Sequence, residues 1–232
     1  MNKLEGKVVL VTGAKGGLGS FVTEAFLEAG AVVVGVSRSI QASDFAHSRF
    51  TALPAELSSA EAARKVAEEA VARFQRIDGL VHVMGGFAGG ERVEDTDDAT
   101  MERMLDLNFR SAFYMMRAVL PHMRRLGKGS IGVVASRQGA EPAAMVGAYS
   151  ASKAAVIALV RTVALENKDR AISANVVLPG TMDTPGNRAA DPKADTSKWV
   201  QPSQVAALLV HLAGDTGAQV TGTAIPVYGG QV

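Results

Sequence analysis

The sequence predicts a single α/β domain in which helices cover both faces of a seven-stranded parallel sheet. Strand-like and helix-like segments alternate from one end of the chain to the other. The short apolar runs are rich in valine, as expected for strands that are buried on both faces. No linker or repeat divides the 232 residues, and 47% of them are hydrophobic. We therefore expect one domain over residues 1–232.

The strands are recognised by short apolar segments that end at glycine, proline or polar residues. The first strand comes directly before a run of glycines, and Pro226 in the last one is typical of the edge of a sheet. The predicted strands are residues 8–11, 32–36, 50–53, 80–84, 132–135, 173–178 and 223–227.

The intervening segments have helical spacing. The first helix ends at Gly30, Ser58 and Glu61 form a predicted capping box, and Pro202 suits a first helical turn. The predicted helices are residues 17–29, 59–74, 97–107, 109–126, 149–166 and 202–212. Between the last two, the polar stretch 179–200 is predicted to be a long loop, with residues 181–200 as the substrate-side lid.

Composition argues against several other classes of protein. A formal net charge of +1 gives no reason to expect a nucleic acid or an anionic membrane as partner. No apolar run approaches the roughly 20 residues that span a bilayer, and residues 1–7 lack the apolar segment of a secretory signal. Cysteine is absent and the four histidines are scattered, so we expect no metal site. A cytoplasmic protein is the default expectation.

A glycine-rich turn follows the first predicted strand. It reads Thr12-Gly13-Ala14-Lys15-Gly16-Gly17-Leu18-Gly19 and leads into the first predicted helix. Glycines there let the backbone approach a pyrophosphate, and the helix N-terminus offers N–H groups and a partial positive charge. The context predicts a dinucleotide-binding turn, because a tight turn without a ligand needs fewer glycines.

The end of the second predicted strand indicates which dinucleotide binds. An enzyme that uses NAD normally has an acidic residue there for the adenosine ribose, but this chain has Ser37-Arg38-Ser39. A guanidinium and a hydroxyl suit a 2′-phosphate, and Lys15 adds a second positive charge. We expect NADP(H) in preference to NAD(H). The alternative is that Arg38 is a solvated charge at the end of a strand.

Three further residues have the chemistry of a proton-transfer site. Tyr149 and Lys153 are one helical turn apart, and Ser136 follows the fifth predicted strand, at the sheet edge where such folds bind ligands. A free tyrosine has a pKa of about 10. A lysine cation and an oxidised nicotinamide beside it favour tyrosinate and lower that pKa, so Tyr149 can act as general acid and base.

Together these residues resemble the short-chain dehydrogenase/reductase family. The resemblance covers essentially the whole chain and rests on the TGxxxGxG turn, Ser136, the YxxxK sequence of Tyr149 and Lys153, and Pro179-Gly180. It implies a Rossmann fold and hydride transfer between a nicotinamide and a carbonyl or alcohol carbon. It also implies that Asn108 joins Ser136, Tyr149 and Lys153 as a catalytic residue.

The resemblance extends the set of cofactor contacts. Lys153 is expected to bind the nicotinamide ribose, and Thr184 the carboxamide. The cofactor-binding residues are predicted to be Gly13, Lys15, Gly17, Leu18, Gly19, Ser37, Arg38, Glu56, Leu57, Gly85, Gly86, Tyr149, Lys153, Pro179, Gly180 and Thr184. The family's common helix-mediated interface implies a homodimer or homotetramer.

The sequence departs from the family pattern at three places. The usual Asn-Asn-Ala-Gly after the fourth strand is His82-Val83-Met84-Gly85, so the asparagine that supports the central sheet is missing. Glu56 stands where the family commonly has an aspartate against adenine, and Tyr228 replaces an aspartate before Gly-Gly. His82 is interpreted as a core histidine bonded to backbone, with a catalytic role as the alternative.

Two stretches, residues 85–90 and 182–199, resemble dihydropteridine reductases. Those enzymes prefer NADH and lack the family's serine and asparagine, whereas this chain has Ser136 and Asn108. Reduction of an ordinary carbonyl is therefore the favoured interpretation. A pteridine reductase, and a regulator that binds cofactor without turnover, are the alternatives.

Overall fold

A computed structural model describes residues 4–231. Residues 1–3 of the N-terminal stretch examined for a secretory signal, and residue 232, lie outside it. Three of the strands are short, largely apolar segments whose residues are all buried. The strands are β1 (Val8–Thr12), β2 (Val32–Ser37), β3 (Phe50–Pro54), β4 (Gly79–His82), β5 (Gly129–Val134), β6 (Ile172–Pro179) and β7 (Ala224–Val227).

These strands form one parallel sheet in the order β3-β2-β1-β4-β5-β6-β7. The predicted seven-stranded parallel sheet is confirmed, and β7 is at its edge as Pro226 indicated. The strand order reverses between β1 and β4, where Thr12 pairs with His82. In sheets of this kind, ligands bind beyond the carboxyl ends of the strands at such a reversal.

Helices fill the gaps between strands and pack on both faces. They are α1 (Gly19–Glu28), α2 (Ala60–Phe74), α3 (Asp98–Met104), α4 (Ser111–Leu126), α5 (Arg137–Ala140), α6 (Gly147–Glu166), α7 (Pro185–Ala190) and α8 (Pro202–Ala213). One core lies between the sheet and α2, α4 and α6, and a second lies between the sheet and α1 and α8. Alternate β1 residues enter opposite cores: Leu10 the first and Val11 the second. The expectation of helices on both faces is confirmed.

Two helix boundaries differ from prediction. The helices expected to separate at Asn108 are continuous, because Leu105–Arg110 forms a π-helical turn that joins α3 to α4. The N-cap of α2 is Ser59, whose hydroxyl accepts a hydrogen bond from the Ala62 N–H, so the capping position predicted at Ser58 is wrong by one residue. Two adjacent serines offer the same local chemistry, and packing decides between them.

The predicted loop 179–200 contains regular structure. Thr184 caps the short helix α7, and a further turn of helix spans Thr196–Lys198. The side chain of Gln231 holds the two ends of this segment together. Its amide accepts from the Thr181 N–H at 2.9 Å and donates to the carbonyl oxygens of Thr181 and Lys198.

Helix α6 is long and apolar enough, by length and composition alone, to cross a membrane, contrary to the expectation that no segment is. Half of its apolar window is buried inside the fold, where it packs on β6 and α5. Those contacts are the reason for its composition, because both sides of a core helix must be apolar where they meet the sheet and a neighbouring helix.

Candidate active site

The glycine turn brings bare backbone to the carboxyl ends of β1 and β4. Gly13 has a φ of +67°, and a Cβ there would lie 2.9 Å from the Met84 backbone nitrogen. A Cβ at Gly19 would overlap the carbonyl oxygen of Gly13. Side chains are therefore excluded from both positions, and the turn can lie directly against a ligand.

The start of α1 suits an anion. Its N-cap, Leu18, makes no side-chain capping bond, and its first turn has no acidic residue. By contrast, α2 is capped by Ser59 and α3 by Asp97. Helix N-terminal N–H groups without a protein acceptor bind phosphates readily, so the described residues of this turn fit a dinucleotide pyrophosphate. Thr184 lies beside the turn, with its Cβ 3.3 Å from the position of a Cβ on Gly17.

Tyr149, Ser136 and Lys153 converge next to this turn. Ser136 follows β5, is 5% exposed and lies close enough to the phenolic group of Tyr149 to lower its pKa. Lys153, also 5% exposed, has its Nζ 5.9 Å from the centre of the Tyr149 ring and donates to the carbonyl oxygen of Val134 at 3.2 Å. The three side chains form one cluster at the carboxyl edge of the sheet.

Burial controls the protonation of this cluster. It raises the pKa of Tyr149 above its ordinary value of 10, and the nearby Ser136 hydroxyl acts in the opposite direction. Burial also lowers the pKa of Lys153 to about 8. The expectation that the Tyr149 pKa is lowered is therefore wrong for the protein groups alone, because the loss of water around the phenol outweighs the effect of Ser136.

Asn108 connects the loop after β4 to the helix that bears Tyr149. From the π-helical turn, its side chain accepts from the Gly86 N–H at 2.9 Å and donates to the Gly86 carbonyl oxygen at 3.1 Å. It also donates to the Ser152 hydroxyl at 3.0 Å, and Ser152 donates to the Tyr149 carbonyl oxygen at 2.7 Å. A Cβ on Gly85 would lie 2.8 Å from the Asn108 oxygen and 3.1 Å from the Lys153 nitrogen, so glycine is needed there.

Comparison with known proteins agrees with this arrangement. A model of the short chain dehydrogenase family matches residues 7–195. The chain is 33% identical to a rhamnolipid-biosynthesis 3-oxoacyl-[acyl-carrier-protein] reductase of Pseudomonas aeruginosa, over 98% of this chain and 96% of that protein. It is 31% identical to dehydrogenase/reductase SDR family member 6 of Rattus norvegicus and to 3-oxoacyl-[acyl-carrier-protein] reductase FabG of Thermotoga maritima, over 99% of each chain.

The chain belongs to the short-chain dehydrogenase/reductase family. It is therefore an oxidoreductase of a family that binds nicotinamide cofactors and acts on small molecules. The resemblance inferred from the glycine turn and the YxxxK sequence is confirmed at the level of the family.

In this short-chain dehydrogenase/reductase, His82 supplies a support for the central sheet that the sequence suggested was missing. Its Nδ1 lies 2.9 Å from the Thr12 hydroxyl, and its Nε2 lies 3.2 Å from the Ser111 hydroxyl. The ring thus joins β1, β4 and α4. The expected backbone partners are replaced by side chains, and burial lowers the His82 pKa to about 3.

The predicted 2′-phosphate site is only partly assembled. The Ser37 hydroxyl accepts from the Lys15 backbone N–H at 3.3 Å, so the glycine turn contacts the end of β2. Arg38 is exposed and has no hydrogen bond or ion pair with the residues that the structure describes. The Lys15 ammonium, however, pairs with Asp44 at 2.8 Å. Asp44, which was not selected from the sequence, therefore neutralises one of the two cations expected at the 2′-phosphate.

The other predicted cofactor contacts differ in how far their side chains are exposed to solvent. Glu56 is exposed near the end of β3, whereas the side chains of Leu18 and Leu57 are buried in the two cores. Only the backbone of those two leucines is available to a ligand. Pro179 ends β6, and a Cβ on Gly180 would lie 3.0 Å from the Gln231 amide.

The sequence did not select Gln138, which also belongs to the site. Its side-chain oxygen accepts a short hydrogen bond from the Ser136 hydroxyl, and its backbone N–H donates to the same Ser136 oxygen at 3.3 Å. Gln138 thereby fixes the orientation of the serine. Its proximity to Ser136 in sequence was the available signal, but a tight turn after β5 was needed to interpret it.

An apolar rim adjoins the Tyr149 ring. Phe87, which is 66% exposed, meets that ring edge-on with centres 5.0 Å apart. Met145, 43% exposed, lies just before α6, and Val93, 77% exposed, lies 3.0 Å from the position of a Cβ on Gly147, the first residue of α6. A cavity of about 180 Å³ opens beside the rim, lined by groups that include Arg103. Among residues 4–231, no cluster of three metal-ligating side chains occurs.

Proposed function

We propose that this short-chain dehydrogenase/reductase transfers hydride between the nicotinamide of NADP(H) and a carbonyl or alcohol carbon, with Tyr149 as the proton donor and acceptor. The observation that carries the proposal is the convergence of Tyr149, Ser136 and Lys153 beside a turn whose backbone fits a pyrophosphate. When bound, a reduced nicotinamide supplies the hydride.

Each residue of the cluster then has a defined task. As negative charge develops on the substrate oxygen, Tyr149 gives that oxygen its phenolic proton. Ser136 donates a hydrogen bond to the same oxygen once its hydroxyl proton turns from the Gln138 side-chain oxygen toward the substrate. Lys153 binds the nicotinamide ribose and stabilises tyrosinate once the proton has left. In the opposite direction, Tyr149 accepts the proton from an alcohol.

The preference for NADP(H) is supported at the end of β2. Arg38 is exposed, lies outside every ion pair among residues 4–231 and can form a bidentate contact with a phosphate. The Ser37 hydroxyl lies beside it, and no carboxylate occurs within Ser37-Arg38-Ser39 to receive ribose hydroxyls. We expect Arg38→Gln to weaken binding of NADP⁺ and to leave NAD⁺ binding nearly unchanged.

The substrate is proposed as a carbonyl compound with an apolar substituent, because the exposed Phe87 ring contacts that of Tyr149 and the exposed Val93 lies beside the start of the same helix, α6. Two relatives carry names as 3-oxoacyl-[acyl-carrier-protein] reductases, which adds β-ketoacyl thioesters to the candidates. A quinonoid dihydropterin tests the alternative suggested by residues 85–90 and 182–199.

The experiment is a substrate panel of ketones, β-ketoacyl thioesters, quinones, sugars and a quinonoid dihydropterin, each assayed with NADPH and with NADH. We expect turnover of ketones or β-ketoacyl thioesters and a higher kcat/KM with NADPH. A clear NADH preference would contradict the cofactor proposal. Turnover of the dihydropterin alone would replace the carbonyl assignment, and absence of turnover with every compound would count against catalysis.

Assembly and location complete the proposal. The half-buried Phe109 and Phe113 on the π-helical turn and α4 suit a helix-mediated interface. We propose a homodimer or homotetramer, which light scattering tests directly, and a cytoplasmic location.

A further inference from the structure

The adenosine end of the proposed cofactor site contains an ion pair that the cofactor proposal does not use. Lys15 Nζ lies 2.8 Å from Asp44 Oδ1, with 44% of the lysine side chain and 20% of the aspartate side chain exposed. The same nitrogen lies 3.4 Å from the Ser39 carbonyl oxygen. The ammonium is therefore held at the end of β2, where Arg38 and Ser37 also lie.

Asp44 is a fixed partner for this lysine. It ends a short helical turn, Ala42–Asp44, and its second oxygen accepts from the Gln41 N–H at 2.8 Å. The hydrogen bonds from Lys15 and from the Gln41 backbone hold the Asp44 pKa below its ordinary value, so the group is a carboxylate throughout the neutral range. Both oxygens have defined donors, which keeps the negative charge beside Lys15.

We propose that Asp44 limits the preference for NADP(H) over NAD(H) by pairing with Lys15 and withholding that cation from the adenosine 2′-phosphate. The inference rests on the proposed function, because it assumes that the adenosine ribose lies at the end of β2. It identifies Asp44 as a selectivity-determining residue that acts through Lys15.

The direction of the effect follows from charge. A 2′-phosphate is an anion that gains from each nearby cation and loses from each nearby anion. Lys15 and Asp44 together present no net charge, so Arg38 remains the main attraction. The ribose of NAD(H) has only neutral hydroxyls at this point, so its binding depends little on the pair. Removal of the Asp44 charge should therefore favour one cofactor selectively.

The test compares the dissociation constants of NADP⁺ and NAD⁺ for the wild type and for Asp44→Asn, measured by calorimetry on the full chain. Asp44→Asn keeps an oxygen for the Gln41 N–H and removes the charge. We expect NADP⁺ to bind about three- to tenfold more tightly than to the wild type, with NAD⁺ changed less than about twofold. The gain should shrink at high ionic strength, because the pair is partly exposed.

Two further variants isolate the mechanism. Lys15→Met should remove the gain when combined with Asp44→Asn. In the wild-type background it should weaken NADP⁺ binding, because it leaves the Asp44 carboxylate without its cation. Asp215→Asn is the control, because Asp215 pairs with Lys7 at the same 2.8 Å near the amino end of β1. This control has the same change in net charge and should leave both dissociation constants unchanged.

The outcomes separate this inference from the proposed function. Unchanged or weaker NADP⁺ binding in Asp44→Asn, with both cofactors still binding to the wild type, overturns the role of Asp44 and leaves the proposed function intact. An equal gain in NADP⁺ affinity in Asp44→Asn and in the Lys15→Met/Asp44→Asn double variant also overturns it, because the effect would then not act through Lys15. Failure of the wild type to bind either dinucleotide overturns both proposals.

Discussion

The Thr12 hydroxyl lies 2.9 Å from Nδ1 of His82, where β1 and β4 end side by side. Ser111 donates its own proton to the Leu107 carbonyl oxygen, so it accepts from Nε2–H of His82. Nδ1 then accepts the Thr12 proton, and a neutral imidazole with its proton on Nε2 satisfies all three side chains. This connection ties the strand before the glycine turn to the helix after Asn108.

Protonation of His82 should limit stability in acid. The unfolded histidine binds a proton below pH 6.5, whereas the folded one, with its pKa near 3, does not. The unfolded state therefore binds more protons between these values, and the free energy of unfolding falls as the pH falls, by about 5 kcal/mol over the whole interval.

The measurement is urea unfolding of the wild type and His82→Asn from pH 7 to pH 4. We expect the variant to be less stable at pH 7 but to lose less stability on acidification. His47→Asn, at an exposed histidine, should keep the wild-type acid dependence. Equal acid dependence in the wild type and His82→Asn would contradict the buried neutral imidazole.

Lys153, which has a role in the proposed reaction, should lower the free energy of unfolding of the protein. Burial lowers its pKa from 10.5 to about 8, so the charged form at pH 7 costs about 3 kcal/mol in the folded state. Lys153→Met removes this cost but leaves the Val134 carbonyl oxygen without its donor. We expect the variant to be about 1–2 kcal/mol more stable at pH 7 and inactive.

The pH dependence gives a second check on Lys153. Between pH 8 and pH 10.5 the folded wild type releases the proton that the unfolded chain retains, so its stability rises relative to Lys153→Met. In urea unfolding, the stability advantage of Lys153→Met should disappear over this range and then reverse, because the wild type gains about 3 kcal/mol. A variant that is less stable than the wild type at pH 7 would refute this cost of burial.

Asn108 is expected to act by positioning. In Asn108→Asp, one oxygen can still accept from the Gly86 N–H, but the donors to the Gly86 carbonyl oxygen and to Ser152 are lost. Misplacement of α6 should lower kcat at least about tenfold, with cofactor affinity changed only a few-fold. Steady-state kinetics and calorimetry measure the two quantities. Equal losses in kcat and cofactor affinity would instead indicate general damage to the fold.

Phe87 should contribute to the affinity for apolar substrates. Phe87→Ala removes the ring that meets Tyr149, and we expect KM for a long-chain ketone to rise about three- to tenfold while that for acetone changes little. Phe21→Ala, at an exposed phenylalanine on α1, is the matched control and should behave as the wild type. Equal effects on both ketones would rule out an apolar contact at Phe87.

Local sequence patterns were sufficient to predict the fold. The valine-rich runs 8–11 and 32–36 predicted β1 and β2, because a strand buried on both faces has a recognisable composition. The helix boundary expected at Asn108 was wrong. The chain continues there as a π-helical turn, whose hydrogen bonds stay within the helix and which has no glycine or proline to mark it in the sequence. Helix α7 was missed because six polar and small residues resemble a loop.

The site was predictable where one motif contains its members, as Tyr149 and Lys153 do. Asp44 and the partners of His82 were not, because each contact joins segments that only the folded chain brings together. Asp44 and Lys15 are 29 positions apart in sequence, and so are His82 and Ser111. The three-dimensional arrangement of the strands and turns determines such contacts, and it cannot be derived from local composition.

The most direct test of the account is Tyr149→Phe, which removes one hydroxyl and keeps the ring against Phe87. The substrate is the most active compound of the panel, and cofactor affinity is measured in parallel by calorimetry. Loss of the proton donor should lower kcat by about 10²–10⁴-fold with NADP⁺ affinity nearly unchanged. Wild-type turnover in this variant would contradict the assignment of Tyr149 as the acid and base.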